Sequence, residues 1–227
     1  MPETSSHKGW HSRGYLPHLD APGEIQALTF RLADALPARL IERWKRELTG
    51  EVSLGPRVAK LALDEQRSEF GNSRSQAGSP AQRILRERIA RYEDCGHGEC
   101  RLREPVCAAA IQNALLHHDG ERYRLLEWCV MPNHVHVMIH CLQGRTLGQI
   151  VATWKKYSAR VINQHLRRSG PVWAKDYHDR YIRDLDHLAV ARAYMRNNPV
   201  KARLCEHPAD WPWGSASWDR ELPNSPF

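Results

Sequence analysis

No stretch of this 227-residue sequence approaches the ~20 apolar residues that a membrane-spanning helix needs. The longest clean apolar run is Val106 to Ile111. The opening residues, MPETSSHKGWHSRG, lack the apolar core of a secretory signal. There is no internal repeat, which excludes solenoids and propellers. These absences predict a single domain, cytoplasmic and without membrane contact. In that compartment the six cysteines (Cys95, Cys100, Cys107, Cys129, Cys141 and Cys205) are expected as free thiols. Cys95, His97, Cys100 and Cys107 have no standard zinc-finger spacing and are read as loop and core residues.

Acidic charge is also in short supply. Lys plus Arg number 33 against 26 Asp plus Glu, a net charge of +7. The apolar fraction of 41% is that of an ordinary globular chain. The basic balance points to an anionic partner, with nucleic acid first.

Residues 1–23 are polar and turn-rich and read as an extended arm. Alternation of Leu28, Phe30 and Leu32 with Thr29 and Arg31 predicts a strand over 25–32. Helices are expected over 37–48, 56–69 and 81–93, with a flexible loop at 71–80; together 37–93 is read as a helical insertion. Pro105 starts a helix running to about residue 118. Residues 123–131 (YRLLEWCVM) and 134–141 (HVHVMIHC) form two strands of a hairpin around Pro132–Asn133. A helix over 146–166 follows, then an extended segment over 172–183. The last helix covers 186–204, interrupted or bent at Pro199, and 205–227 is an irregular tail. This order matches an α+β, ferredoxin-like (split βαβ) antiparallel sheet, with one helix added at the end.

His134-Val135-His136 is the sharpest local signal. Residues two apart on a strand point to the same face, ~6.6 Å apart along the chain. The two imidazoles can therefore converge on one cation, while Val135, Val137 and Ile139 face the core. His140 shares their face, two steps outside the pair. A histidine-triad nucleotide hydrolase would need a third histidine at 138, where this sequence has Met138. Tyr194 and Asn198 share one face of the last helix. A phenol can attack phosphorus to leave a phosphotyrosine, and an amide oxygen one turn away can complete a metal shell. Either pair alone is a weak signal; the two together carry the argument.

MPNHVHVMI, the basic helix after it, VWAKDYHDRYIRD and YMRNNPVKARL together resemble the REP-associated tyrosine transposases, of the single-tyrosine superfamily marked by His-hydrophobic-His. RGYLPHLDAPGEIQALTFRLADALP resembles the start of that family. The resemblance leaves most of 37–93 uncovered. It implies a dimer with a ferredoxin-like sheet that cuts single-stranded DNA beside palindromic hairpins. It further implies Mg²⁺ or Mn²⁺ held by His134, His136 and Asn198. Tyr194 would then be the nucleophile, forming a 5′-phosphotyrosine and freeing a 3′-hydroxyl. Such a metal offsets the charge that develops on phosphorus.

Lys155, Lys156 and Arg160 on the 146–166 helix, with Arg167 just beyond it, suit DNA phosphates, as do Arg180 and Arg183 on the fourth extended segment. Trp154 is assigned to the core. Arg13, Gly14 and Tyr15 resemble family positions near DNA. Two other readings stay open at this point: a binder that keeps the fold without catalysis, and a nucleotide hydrolase built on the histidine strand. The 123–131 strand, as a possible sheet edge, offers a surface for dimer pairing.

Overall fold

The computed structural model describes residues 9–12, 17–21, 23–50, 80–142 and 144–218. Arg13, Gly14, Tyr15, the 56–69 helix and the 71–79 part of the expected loop lie outside these residues.

The arm is not merely extended. Strands β1 (Gly9–Ser12) and β2 (Pro17–Asp20) pair antiparallel, with Gly9 opposite Asp20. Strand β3 (Ile25–Arg31) opens the main sheet. Helices α1 (Ala38–Leu48) and α2 (Pro80–Asp94) follow, then α3 (Pro105–Leu116) with Pro105 in its first turn. The hairpin is β4 (Tyr123–Val130) and β5 (His134–Cys141). Helix α4 (Leu147–His165) starts in a capping box of Thr146 and Gln149. Strand β6 (His178–Tyr181) leads to α5 (Leu185–Lys201), capped by Asp184, whose Oδ1 accepts from the His187 N–H at 2.7 Å. A last turn of helix, α6, spans Ser215–Trp218. Among the described residues no helix is long and apolar enough to cross a membrane.

The sheet order is β4-β5-β3-β6, every pair antiparallel. In the order of the four strands along the chain this is 2-3-1-4, the ferredoxin-like arrangement. The period of two in β5 assigns the faces. Val135, Val137 and Ile139 join α3 and α4 in the main core. His134, His136 and Met138 project to the other side, where Met138 packs under α5 with Ile182, Ala191 and Met195. Met138 is fully buried there, so the third position of a histidine triad is core. Helices α1 and α2 form a small core of their own around Leu36, Ile41, Leu85 and Ile89.

Four expectations need correction. The fourth extended segment pairs in the sheet only over 178–181. Upstream, Trp173 donates through Nε1 to Ser158 Oγ at 2.9 Å, and Lys155 Nζ donates to the carbonyls of Ala174 (3.0 Å) and Asp176 (3.1 Å). These bonds tie 173–176 to α4, while Ala174 N–H donates to the Arg31 carbonyl at 2.9 Å and an isolated bridge pairs Trp173 with Leu32, just past β3. Lys155 therefore serves as an internal tie and not as a phosphate contact; burial pushes its ammonium down to about 8, against the Asp176 charge. Helix α5 ends at Lys201 rather than at 204. Pro199 sits in its final turn, and Arg203, at φ +57, closes the helix through Leu204 N–H to the Pro199 carbonyl at 2.9 Å.

The tail is the fourth case. β4 is a sheet edge as expected, but the edge is not open. Val130 N–H donates to the Trp213 carbonyl at 2.8 Å, Trp128 N–H to Ser215 Oγ at 3.3 Å, and Leu125 N–H to Asp119 Oδ1 at 2.7 Å. Residues 213–215 thus run along β4 and occupy the donors that a partner strand would use.

Candidate active site

Register builds the histidine pair. Arg31 on β3 stands opposite His134, and Thr29 opposite His136. Thr29 Oγ1 lies 2.9 Å from His136 Nδ1. At the hairpin turn, the Asn133 amide nitrogen donates to the carbonyls of Glu93 (3.1 Å) and His97 (3.0 Å). Both of its protons are then committed, so Asn133 Oδ1, at 2.7 Å from His134 Nδ1, accepts. His134 therefore carries its proton on Nδ1 and presents a bare Nε2 lone pair. The two Nε2 atoms meet at 2.9 Å. Burial holds His136 down to about 4, and burial with the neighbouring His136 and Arg31 holds His134 well below the ordinary range. Both rings are neutral near pH 7, the form that binds metals.

Helix α5 crosses this face. The Tyr194 ring meets the His136 ring edge-on, with centroids 5.6 Å apart. Its hydroxyl donates to Asp94 Oδ2 at 3.3 Å. Burial, then the Asp94 charge, pushes the phenol well above its ordinary value, while the Asn198 side chain works the other way. Asn198 is buried one turn further on, and its Nδ2 has no hydrogen-bond partner. Lys201 Nζ lies 5.0 Å from the Tyr194 ring centroid. All four residues expected at the site (His134, His136, Tyr194 and Asn198) are thus gathered on one face of the sheet.

Asp94, at the end of α2, was not among them. Its Oδ1 lies 3.6 Å from His134 Nε2, and the ligand atoms of Asp94, His134 and His136 fall within 4.8 Å of one another. Burial raises the Asp94 carboxyl to about 6, against the Tyr194 hydroxyl and the Lys201 charge. No sequence signal marks it, because a single carboxylate ending a polar helix looks like any solvated one. A divalent cation suits this donor set. Two neutral imidazoles meet through their Nε2 atoms, where His134 accepts from His136, beside a shielded Asp94 carboxylate oxygen that has no hydrogen-bond partner.

The basic residues divide. Arg180 on β6 is held down by burial and by the charges of Arg86 and Arg183, with Glu87 and then Tyr194 acting the other way. Arg86 from α2 thus joins Arg180 and Arg183 in a positive cluster on the tyrosine side. Lys156 and Arg160 sit on α4, which covers the opposite face of the sheet, and Arg160 lies over the Tyr157 ring at 5.9 Å. The structure does not bring them to the site. His140 bonds the Gly23 carbonyl at 3.1 Å and stays outside the ligand set. The cysteines are free thiols, and among the described residues the only metal-type cluster of His, Cys, Asp and Glu is Asp94, His134 and His136.

No curated protein matches the chain. Solved structures resemble it, two of them as follows. One is a REP-associated tyrosine transposase bound to a REP hairpin: 12% identity over 92% of this chain and 86% of that one, TM-score 0.47. The other is a Deinococcus radiodurans R1 protein assigned as a transposase: 14% identity over 83% of this chain and 96% of that one, TM-score 0.30. The family model of the IS200-like transposases matches residues 107–198. That segment, which runs from α3 through both histidines to Tyr194 and Asn198, is where the chain is similar to the IS200-like transposases.

Proposed function

We propose that this protein cuts and rejoins single-stranded DNA at palindromic, hairpin-forming sequences, through a 5′-phosphotyrosine on Tyr194. One observation carries the reading: the Tyr194 hydroxyl and the two histidine Nε2 atoms converge on the same carboxylate, Asp94, at 3.3 Å and within 4.8 Å. His134, His136 and Asn198 would hold Mg²⁺ or Mn²⁺, which when bound neutralises charge on the scissile phosphate.

The remaining steps belong to the chain. Arg86, Arg180 and Arg183 bind backbone phosphates and bring the strand to the tyrosine side. Asp94 Oδ2 orients the Tyr194 hydroxyl. Tyr194 Oη then bonds to phosphorus as the P–O3′ bond breaks, giving a tyrosyl 5′-phosphate and a free 3′-hydroxyl. The Tyr194 proton passes along its hydrogen bond to Asp94 Oδ2 as the Oη–P bond forms, and the departing O3′ takes up a proton from water. Lys201, against the ring, stabilises the phenolate as it develops. Rejoining is the reverse: a 3′-hydroxyl attacks the phosphotyrosine and Tyr194 departs. Lys156 and Arg160, across the sheet, would reach only DNA that continues around the body. The Arg13 contact belongs to the same reading.

His136→Ala should abolish cleavage of a hairpin-bearing oligonucleotide in Mn²⁺ and leave most DNA binding intact, because phosphate contacts come from the arginines. EDTA should have the same effect on the wild type. Cleavage that proceeds unchanged in EDTA excludes the metal-dependent reading. A homodimer is part of the proposal, with its interface away from the β4 edge, whose donors are already bonded. Sedimentation velocity, with and without hairpin DNA, should show twice the protomer mass; a monomer in both conditions excludes the dimer.

A further inference from the structure

We infer that Asp94 is a further metal-binding side chain, in addition to His134, His136 and Asn198, delivered by the second helix of the helical insertion; this rests on the metal-dependent reading above. The described helices of the insertion, α1 and α2, pack on each other around Leu36, Ile41, Leu85 and Ile89. Its second helix nevertheless ends inside the site.

The end of α2 is fastened there by contacts the rest of the insertion does not need. Arg31 on β3 forms an ion pair with Glu93 at 3.0 Å, with both side chains buried. Asn133 holds the carbonyls of Glu93 and His97, on either side of Asp94, and the same side chain fixes the proton on His134 Nδ1. One amide thus sets the direction of the His134 lone pair and the position of the Asp94 backbone. His97 also stacks on Tyr92 at 4.0 Å, closing the turn.

The carboxylate itself is divided. Oδ2 accepts from Tyr194. Oδ1 is shielded from solvent and has no hydrogen-bond partner. Its nearest histidine atom, His134 Nε2 at 3.6 Å, is a lone pair by the Asn133 argument. The His134 lone pair accepts from His136 Nε2 at 2.9 Å, which leaves Asp94 Oδ1 as the shielded oxygen without a donor, a costly state. A divalent ion beside the histidine pair removes that penalty. Donors on one such ion, at about 2.1 Å, lie roughly 3 to 4.2 Å apart, close to the separations seen before any ion draws them in. Two imidazoles and one carboxylate suit Mn²⁺ better than Mg²⁺. Asp94 then links the cation to the nucleophile, with one oxygen on each.

The test is calorimetric titration of the full-length protein with MnCl₂, with no DNA present. Asp94→Asn should weaken Mn²⁺ binding ~10-fold or more, and Asp94→Ser at least as much. Thermal melts without metal separate lost ligation from lost fold, and Asp94→Ser serves if Asp94→Asn does not fold. If both Asp94 variants bind Mn²⁺ as wild type does while His136→Ala does not, the inference is overturned and the histidine centre stands. If His136→Ala also binds as wild type, or the wild type binds no Mn²⁺, the metal reading itself fails.

Discussion

Tyr194→Phe should eliminate the covalent DNA adduct while leaving the fold intact. Six other tyrosines are present, and among the described ones none shares this environment. Tyr123 is buried and donates to the Leu115 carbonyl at 2.7 Å, and burial pushes its phenol to about 12. Tyr157 is exposed on α4, on the far face of the sheet. Tyr177 belongs to the main core. Only Tyr194, among the described residues, stands against the His136 ring and Asp94. The phenylalanine ring keeps the contacts with Met138, Ile182 and Met195, so the variant loses one hydrogen bond, about 1 kcal/mol. Covalent catalysis needs the phenol oxygen, so the loss of adduct should be complete and not graded. Mass spectrometry of protein trapped on a hairpin oligonucleotide decides it. A phosphotyrosine at any other position removes Tyr194 from the mechanism.

The second large effect concerns what holds the tyrosine helix down. Glu127 on β4 is fully buried. It accepts from Arg192 Nε at 2.6 Å, from Arg196 Nη2 at 2.7 Å and from Ser215 Oγ. Arg192 and Arg196 flank Tyr194 on α5, so this cluster anchors the helix to the sheet edge and the tail to both. Glu127 reaches that face through the irregularity between Leu125 and Glu127. Tyr123 and Leu125 point into the main core; after the shift Trp128 and Val130 do, and Glu127 turns toward α5.

Replacing both arginines with methionine strands a buried carboxylate. The expected cost is about 3–5 kcal/mol, a fall in Tm of roughly 10 °C for a chain of this size. Adding Glu127→Gln to that variant should restore a large part of the loss, because the stranded charge and not the missing arginine packing dominates. Melts of the double and triple variants measure this. A triple variant no more stable than the double one shows that packing, rather than charge, is what the cluster supplies.

Much of this architecture is legible in the linear sequence. Period-two alternation locates β3, β4 and β5 to within a residue, and it assigns the histidines and the valines of β5 to opposite faces, since a pleated strand leaves no alternative. The i, i+4 relation of Tyr194 and Asn198 is equally local. Caps and prolines fix helix starts well, as at Pro105 and Thr146. Helix α5 ends earlier than read because Arg203 takes the left-handed position usually left to glycine.

What the sequence by itself determined, then, is the order of elements, the ferredoxin-like sheet and the four residues His134, His136, Tyr194 and Asn198. These depend on spacings of two and four, which backbone geometry enforces. Tertiary structure alone decided the rest. Lys155 reads as one more cation on a basic helix, yet it is buried against carbonyls twenty residues on. Lys156 and Arg160 share charge and helix type with a DNA surface but fall across the sheet from Arg180 and Arg183. The tail becomes the cover of the β4 edge. Asp94 enters the site from forty residues before His134, on a helix whose own pattern is polar. Each of these depends on which surfaces meet when the sheet closes, and side-chain periodicity carries no record of that.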